Sequence, residues 1–151
     1  MNPEQAKALR AKFSPSQIGI LPKPTKKDNP KGRCSECGGY HGLPAVHLDF
    51  VGHAAITDRL LSVDPEWTWE PMGVGPGGEP LIVNGGLWIW LTVCGVRRPG
   101  FGDAEGGKGP KEMIGDALRN AAMRFGVGLD LWAKQDLAGG CLLYTSPSPR
   151  D

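Results

Sequence analysis

Residues 115–132 read GDALRNAAMRFGVGLDLW, and the spacing of their apolar side chains decides the fold class. On a helix of about 3.6 residues per turn, Ile114, Ala117, Leu118, Ala121, Ala122 and Phe125 fall on one face. Lys111, Glu112, Gly115, Asp116, Arg119, Asn120 and Met123 fall on the other. Arg124 sits at the border, where its aliphatic stem can follow the apolar edge. Pro110 suits a first helical turn, so the helix is expected from there to about Phe125. Its alanines allow close approach to a sheet, and the chain upstream supplies one. Residues 66–72, EWTWEPM, alternate as a strand. Residues 86–98, GLWIWLTVCGVRR, read as a longer strand rich in β-branched and aromatic side chains. Between them the Gly/Pro-rich linker 73–86 holds a further short strand at 81–83, and residues 98–110, RPGFGDAEGGKGP, are expected as a loop. The fold class is α+β: a small antiparallel sheet packed by a long helix.

Upstream of the sheet, residues 47–63, HLDFVGHAAITDRLLSV, place Val51, Ala54, Ala55, Ile56, Leu60 and Val63 at helical spacing, and Asp64-Pro65 stops that helix. Residues 3–12 suit a short helix with Asn2 as its cap and Pro3 in the first position. Residues 14–33, with LPKPTKKDNPKGR at their end, cannot bury a face and read as a basic arm.

The chain has 151 residues, the length of one domain with a real core, and a formal net charge of +1. The charge is segregated. Residues 1–33 hold eight Lys or Arg against two acids, whereas residues 34–96 hold seven acids against Arg59. This is the pattern of an anionic partner met by an arm and local patches; a solvated basic tail has the same pattern. There is no secretory apolar segment and no run of membrane-spanning length, so a cytoplasmic location is expected. Residues 141–151, CLLYTSPSPRD, resemble a translated sequencing adapter and are set aside as a processing scar, leaving residues 136–140 as a truncated remainder.

With Cys141 set aside, the cysteines are Cys34, Cys37 and Cys94. The C-x-x-C pair belongs to CSECGGYHGLPAVH, residues 34–47, which offers Cys34, Cys37, His41 and His47. Zinc takes four soft or borderline ligands in a tetrahedron, and a C-x-x-C turn presents two thiolates from its own backbone amides. The expectation is a structural zinc knuckle; the alternative is two free thiols and surface histidines. Four protein ligands leave no open position for hydrolytic chemistry. His53 could stand in for His47, but it falls within a helix. Cys94, read as mid-strand, is expected in the core. Trp67 and Trp69 on one strand, and Trp88 and Trp90 on the next, are expected to share faces of the sheet and to pack rather than stack on bases.

The segment DALRNAAMRFGVGLDLW resembles the signature of the Rad fifty-two family of single-strand annealing proteins, including phage recombinases of that type. Residues 51–70, VGHAAITDRLLSVDPEWTWE, are similar to that family's opening helix and first strand. The resemblance covers about residues 48–132. It implies a β-β-β-α core flanked by a helix, self-association into a ring or arc, and single-stranded DNA in a basic groove. Arg119 and Arg124 fall where the family carries basic residues. Asn120 stands where a second basic residue is usual, and the Cys/His insert is outside the general family pattern, although actinobacterial phage relatives carry one.

The resulting expectation is an N-terminal helix and basic arm (1–33), a zinc knuckle (34–47) and an annealing core (48–135). The function expected is ATP-independent single-stranded DNA binding and annealing in phage-type recombination and repair, by a homo-oligomer without enzymatic activity, in the host cytoplasm if phage-encoded. Annealing makes no bond; it needs cations that cancel phosphate repulsion while base edges stay free. The candidate DNA contacts are Arg119, Arg124, Lys108, Lys111, Arg97 and Arg98. The alternative is a zinc-containing nucleic-acid-binding module, RNA included, that does not anneal. A metal-dependent nuclease using Asp49, Asp58, Asp64, Glu66 and Glu70 stands behind both. GDAEGGKG at 102–109 nearly fits a phosphate loop, but Gly109 replaces the hydroxyl residue that should bind magnesium.

Overall fold

A computed structural model describes residues 1–103 and 109–143, with residues 137–143 described as backbone. The chain forms two compact units, Met1–Gln17 with Val51–Leu129 and Ile18–Phe50 with Asp130–Asp151. The class is α+β, with small sheets and helices.

The first unit opens on α1 (Pro3–Arg10), where Asn2 and Gln5 cap each other reciprocally and Pro3 occupies a position that needs no amide hydrogen bond. Helix α2 (His53–Val63) ends at Asp64, whose carboxylate accepts the backbone N–H groups of Glu66 and Cys94. Strand β5 (Thr68–Pro71), the short β6 (Ile82–Val83), β7 (Gly86–Val93) and β8 (Val96–Asp103) form a sheet in which β7 pairs with the other three, all antiparallel. Helix α3 (Pro110–Met123) lies on it. Its first turn is capped by Glu112, which accepts the Gly109 N–H at 3.0 Å, and it stops before Gly126, where φ is +94°. Along β7, Leu87, Ile89, Leu91 and Val93 are fully buried beneath α3, and each contributes about 1.5–3 kcal/mol by leaving water. Ala117, Leu118, Ala121, Ala122 and Phe125 answer them from the helix, as its periodicity requires.

Several expectations are corrected in this unit. The run 86–98 is two strands: Cys94 and Gly95, with φ of 52° and 77°, make a two-residue hairpin turn between β7 and β8. Cys94 is therefore a half-buried turn residue and not a mid-strand core residue. Residues 98–103, expected as loop, are strand. Their glycines serve packing: a Cβ on Gly100 would strike Ala121 and the Ala117 carbonyl, and one on Gly102 the backbone of Met113 and Ala117. Residues 104–108, the middle of the near phosphate loop, lie outside the described residues. Val51 ends a strand and does not start α2. Gly115 is buried against His53, because α3 also packs on α2. Trp67 precedes β5; Trp69 pairs with Leu91 on the covered face, while Trp88 and Trp90 occupy the opposite face, so the two tryptophan pairs do not meet.

In the second unit, β1 (Ile18–Pro24) pairs with β4 (Ala45–Val51), and β2 (Lys31–Arg33) pairs antiparallel with β3 (Tyr40–Gly42). Residues 18–33 are thus paired chain, not a free arm: Thr25 N–H donates to the Pro44 carbonyl and Leu43 N–H to the Pro30 carbonyl, both between loop residues. Backbone pairing asks little of side chains, which is why a stretch without an apolar face can be ordered. Helix α4 (Leu129–Leu143) runs on from Leu129, and Lys134 and Gln135 hold Asp49 through its carboxylate and carbonyl. Residues 144–151 of the adapter-like segment are outside the described residues.

Candidate metal centre and basic helix end

The turn after β2 brings Cys34 and Cys37 together. Gly38 N–H donates to the Cys34 carbonyl at 2.8 Å, Cys34 N–H donates to the Gly39 carbonyl at 2.7 Å, and Gly38 takes φ +76° to close the turn. Strand β3 delivers His41 and β4 delivers His47. One ligand atom from each of Cys34, Cys37, His41 and His47 lies within 4.8 Å of the others, close enough to bind a metal ion. Cys34 Sγ is 3.4 Å from His47 Nε2, and Cys37 Sγ is 3.4 Å from His41 Nε2. His53 begins α2 and takes no part.

The surrounding atoms fit a metal as well as the ligands do. His41 Nδ1 donates to the Gly42 carbonyl at 2.9 Å, which leaves the Nε2 lone pair for the cluster. His47 Nδ1 is buried without a hydrogen bond, and Glu36 Oε2 stands 3.5 Å from it. Cys34 is buried, yet the Cys37 backbone N–H outweighs that burial and lowers the Cys34 thiol to about 7. A thiol so placed ionises readily, as a metal ligand must.

The cations expected to meet DNA divide into three groups. Lys108 lies outside the described residues. Lys111, in the first turn of α3, and Arg97 on β8 are exposed, the Arg97 guanidinium resting 4.1 Å from the centre of the Trp90 ring. Arg98, Arg124 and Arg119 are tied into the fold. Arg98 donates to the Arg124 carbonyl at 2.7 Å and lies over Phe125; Arg124 donates to the carbonyl and side-chain oxygen of Asn120. Arg119 is half-buried, with Asp116 at 3.5 Å, and its loss of water lowers its pKa against the raising influence of that carboxylate. Arg119 was expected to point outward; its side chain is instead largely covered.

Asn120, the departure from the resembling family, has a structural task that the sequence did not reveal. Among the described residues no strand pairs with the outer edge of β8. There Asn120 Oδ1 accepts the Phe101 N–H at 3.0 Å and Asp116 Oδ2 accepts the Asp103 N–H at 3.2 Å, while Pro99 has no N–H to satisfy. One side of α3 therefore closes a sheet edge. Of the carboxylates weighed for a nuclease, Asp49 is held by Lys134 and Asp64 by backbone amides. Among the described residues the Cys/His set is the one group of three or more potential metal ligands. No described helix is long and apolar enough to cross a membrane. No family model matches the chain, and no curated protein matches it.

Proposed function

We propose that this chain is a single-stranded DNA-binding protein braced by a structural zinc ion, and that it anneals complementary strands without ATP. The metal would be held by Cys34, Cys37, His41 and His47; two thiolates and two imidazoles in a closed set suit zinc in a bracing role. The observation that carries the DNA reading is the C-terminal end of α3. Arg98 and Arg124 are exposed there, yet each commits Nη1 to a backbone carbonyl, so their charges are held in place before any ligand arrives. Fixed guanidinium groups lose little freedom on meeting phosphate, and each keeps further N–H donors for it. Exposed Met72, Val74, Leu81, Ile82 and Val83, around the two-residue edge strand β6, support self-association into a ring or arc. The role is recombination and repair, in a cytoplasmic setting.

A second reading has its own support. Because Asn120, Asp116, Arg119 and Arg124 are engaged within the fold, a module that binds nucleic acid without annealing it is compatible with the same geometry. Zinc-loaded protein mixed with complementary oligonucleotides, without nucleotide or magnesium, separates the two. Duplex formation faster than the uncatalysed rate is expected; binding without acceleration assigns the second reading, and no binding rejects both.

A further inference from the structure

The β2–β3 hairpin has two different faces. Its register pairs Lys31 with Gly42, Gly32 with His41 and Arg33 with Tyr40. Directly paired residues share a face and successive residues alternate, so His41 turns to the metal cluster while Lys31, Arg33 and Tyr40 share the other side. Tyr40 is 71% exposed, the largest exposure among the big hydrophobic side chains of the described residues, and no described ring packs on it. Arg33 beside it donates to the Gly38 carbonyl at 3.4 Å, and Lys31 is exposed. The turn before β2 adds exposed Lys26 and Lys27, and it lies close to the hairpin: Pro24 and the Asn29 carbonyl crowd Gly42. The acids of this region are Asp28, exposed in the same turn, and Glu36, drawn to His47.

An aromatic ring left in water and flanked by cations is the pairing that unpaired bases and their phosphates recognise. A double helix hides its bases' faces and would leave Tyr40 unused. We infer that the outer face of this metal-braced hairpin is a contact site for single-stranded DNA, with Tyr40 stacking on a base and Arg33 and Lys31, aided by Lys26 and Lys27, meeting the flanking phosphates. This inference rests on the proposed DNA-binding function and assigns part of it to the unit that holds the metal. The metal's contribution is rigidity: it fixes the strands that carry the ring and the cations.

The test is anisotropy of a labelled oligothymidylate with the zinc-loaded full chain, at several salt concentrations. Tyr40→Ala is expected to weaken binding about 5- to 100-fold, the loss of one base stack, and Tyr40→Phe to stay within about twofold of wild type. Arg33→Gln and Lys31→Gln should each reduce the slope of log K against log salt by about 0.7, one phosphate contact on a single strand. Cobalt(II) absorption shows whether each variant keeps its metal site. The Lys26→Gln, Lys27→Gln double variant changes no member of the Cys/His cluster and no residue of the hairpin strands, and reads the same surface should Tyr40→Ala lose the metal. Wild-type binding with unchanged affinity in Tyr40→Ala and unchanged slopes in the cation variants overturns the inference alone. Equal losses on single strand and duplex overturn the stacking assignment. Failure of the wild type to bind the oligonucleotide at low salt overturns the inference together with the function it rests on.

Discussion

Glu36 and Cys34 show how single residues set the properties of the knuckle. His47 Nδ1 is buried with no hydrogen bond, and the carboxylate of Glu36 is 3.5 Å away. A metal on Nε2 would sharpen the Nδ1 proton, so Glu36 would close on it as an outer-sphere acceptor. Glu36→Gln is expected to reduce zinc affinity about 10- to 100-fold, measured by competition with a chromophoric chelator, with the cobalt spectrum still tetrahedral. Unchanged affinity would show that the carboxylate does not orient the ligand. Cys34 adds a pH dependence of its own. Its thiol falls from the ordinary 9.0 to about 7, chiefly through the Cys37 backbone N–H. A depressed pKa favours the thiolate in the folded state, so this stabilisation is complete above 9.0 and is lost as the pH falls through about 7. Apparent zinc affinity should therefore decline steeply below neutral pH, and Cys34→Ser should flatten that decline. The Cys/His cluster was legible in the sequence because C-x-x-C and the two histidines are chemically conspicuous. Glu36 was not, since nothing in its spacing distinguishes an outer-sphere carboxylate from a solvated one.

Elements were legible where a single period dominates. Helix α3 buries Ala117, Leu118, Ala121 and Ala122 because one stripe faces one sheet, and α1 begins where Asn2, Pro3 and Gln5 dictate. Reading failed where two signals compete within a few residues. Asn84-Gly85 and Cys94-Gly95 both take positive φ as hairpin turns, but the first lay inside a Gly-rich linker and the second inside a run of strand formers. Strand β8 was hidden by its own glycines. Gly100 and Gly102 read as loop residues, yet they are strand positions kept bare so that α3 can approach. Gly100→Ala is accordingly expected to destabilise the protein by about 1–3 kcal/mol, since the atoms it meets are a packed alanine and helix backbone that cannot swing away. A lowered urea midpoint at constant m value would confirm this; an unchanged midpoint would mean that α3 can slide on the sheet. The arginines follow a related rule. Arg59 donates to the Leu9 and Ala11 carbonyls while lying over Phe13, and Arg98 does the same for the end of α3 over Phe125. Both cap a helix end and cover an aromatic, so charge alone could not identify which cations serve a ligand.

At the scale of the molecule, the two units are stabilised by different means. The first holds Leu9, Phe13, Val51, Ile56, Leu60, Leu87, Ile89, Leu91, Val93 and Phe125 in its interior, a continuous apolar core. Among the described residues of the second, Cys34 and Leu131 are the buried hydrophobic side chains. With so little apolar burial among these residues, a metal in the Cys/His cluster would add to what strand pairing supplies against the entropy of ordering four strands. Residues 14–33 read as a free arm for this reason: the sequence shows that they lack an apolar face but not the strand pairing that orders residues 18–24 and 31–33. Chelation under reducing conditions should then open the second unit and leave the first intact. Trypsin is expected to cut at Lys23, Lys26, Lys27, Lys31 and Arg33 in chelator and to spare them in zinc, while residues 51–103 stay protected in both. Any change in tryptophan emission should come from Trp132, the one tryptophan of the second unit, because Trp67, Trp69, Trp88 and Trp90 belong to the first. Equal cleavage with and without zinc would show that strand pairing alone holds the second unit. Loss of both units together would show that the metal stabilises the whole chain.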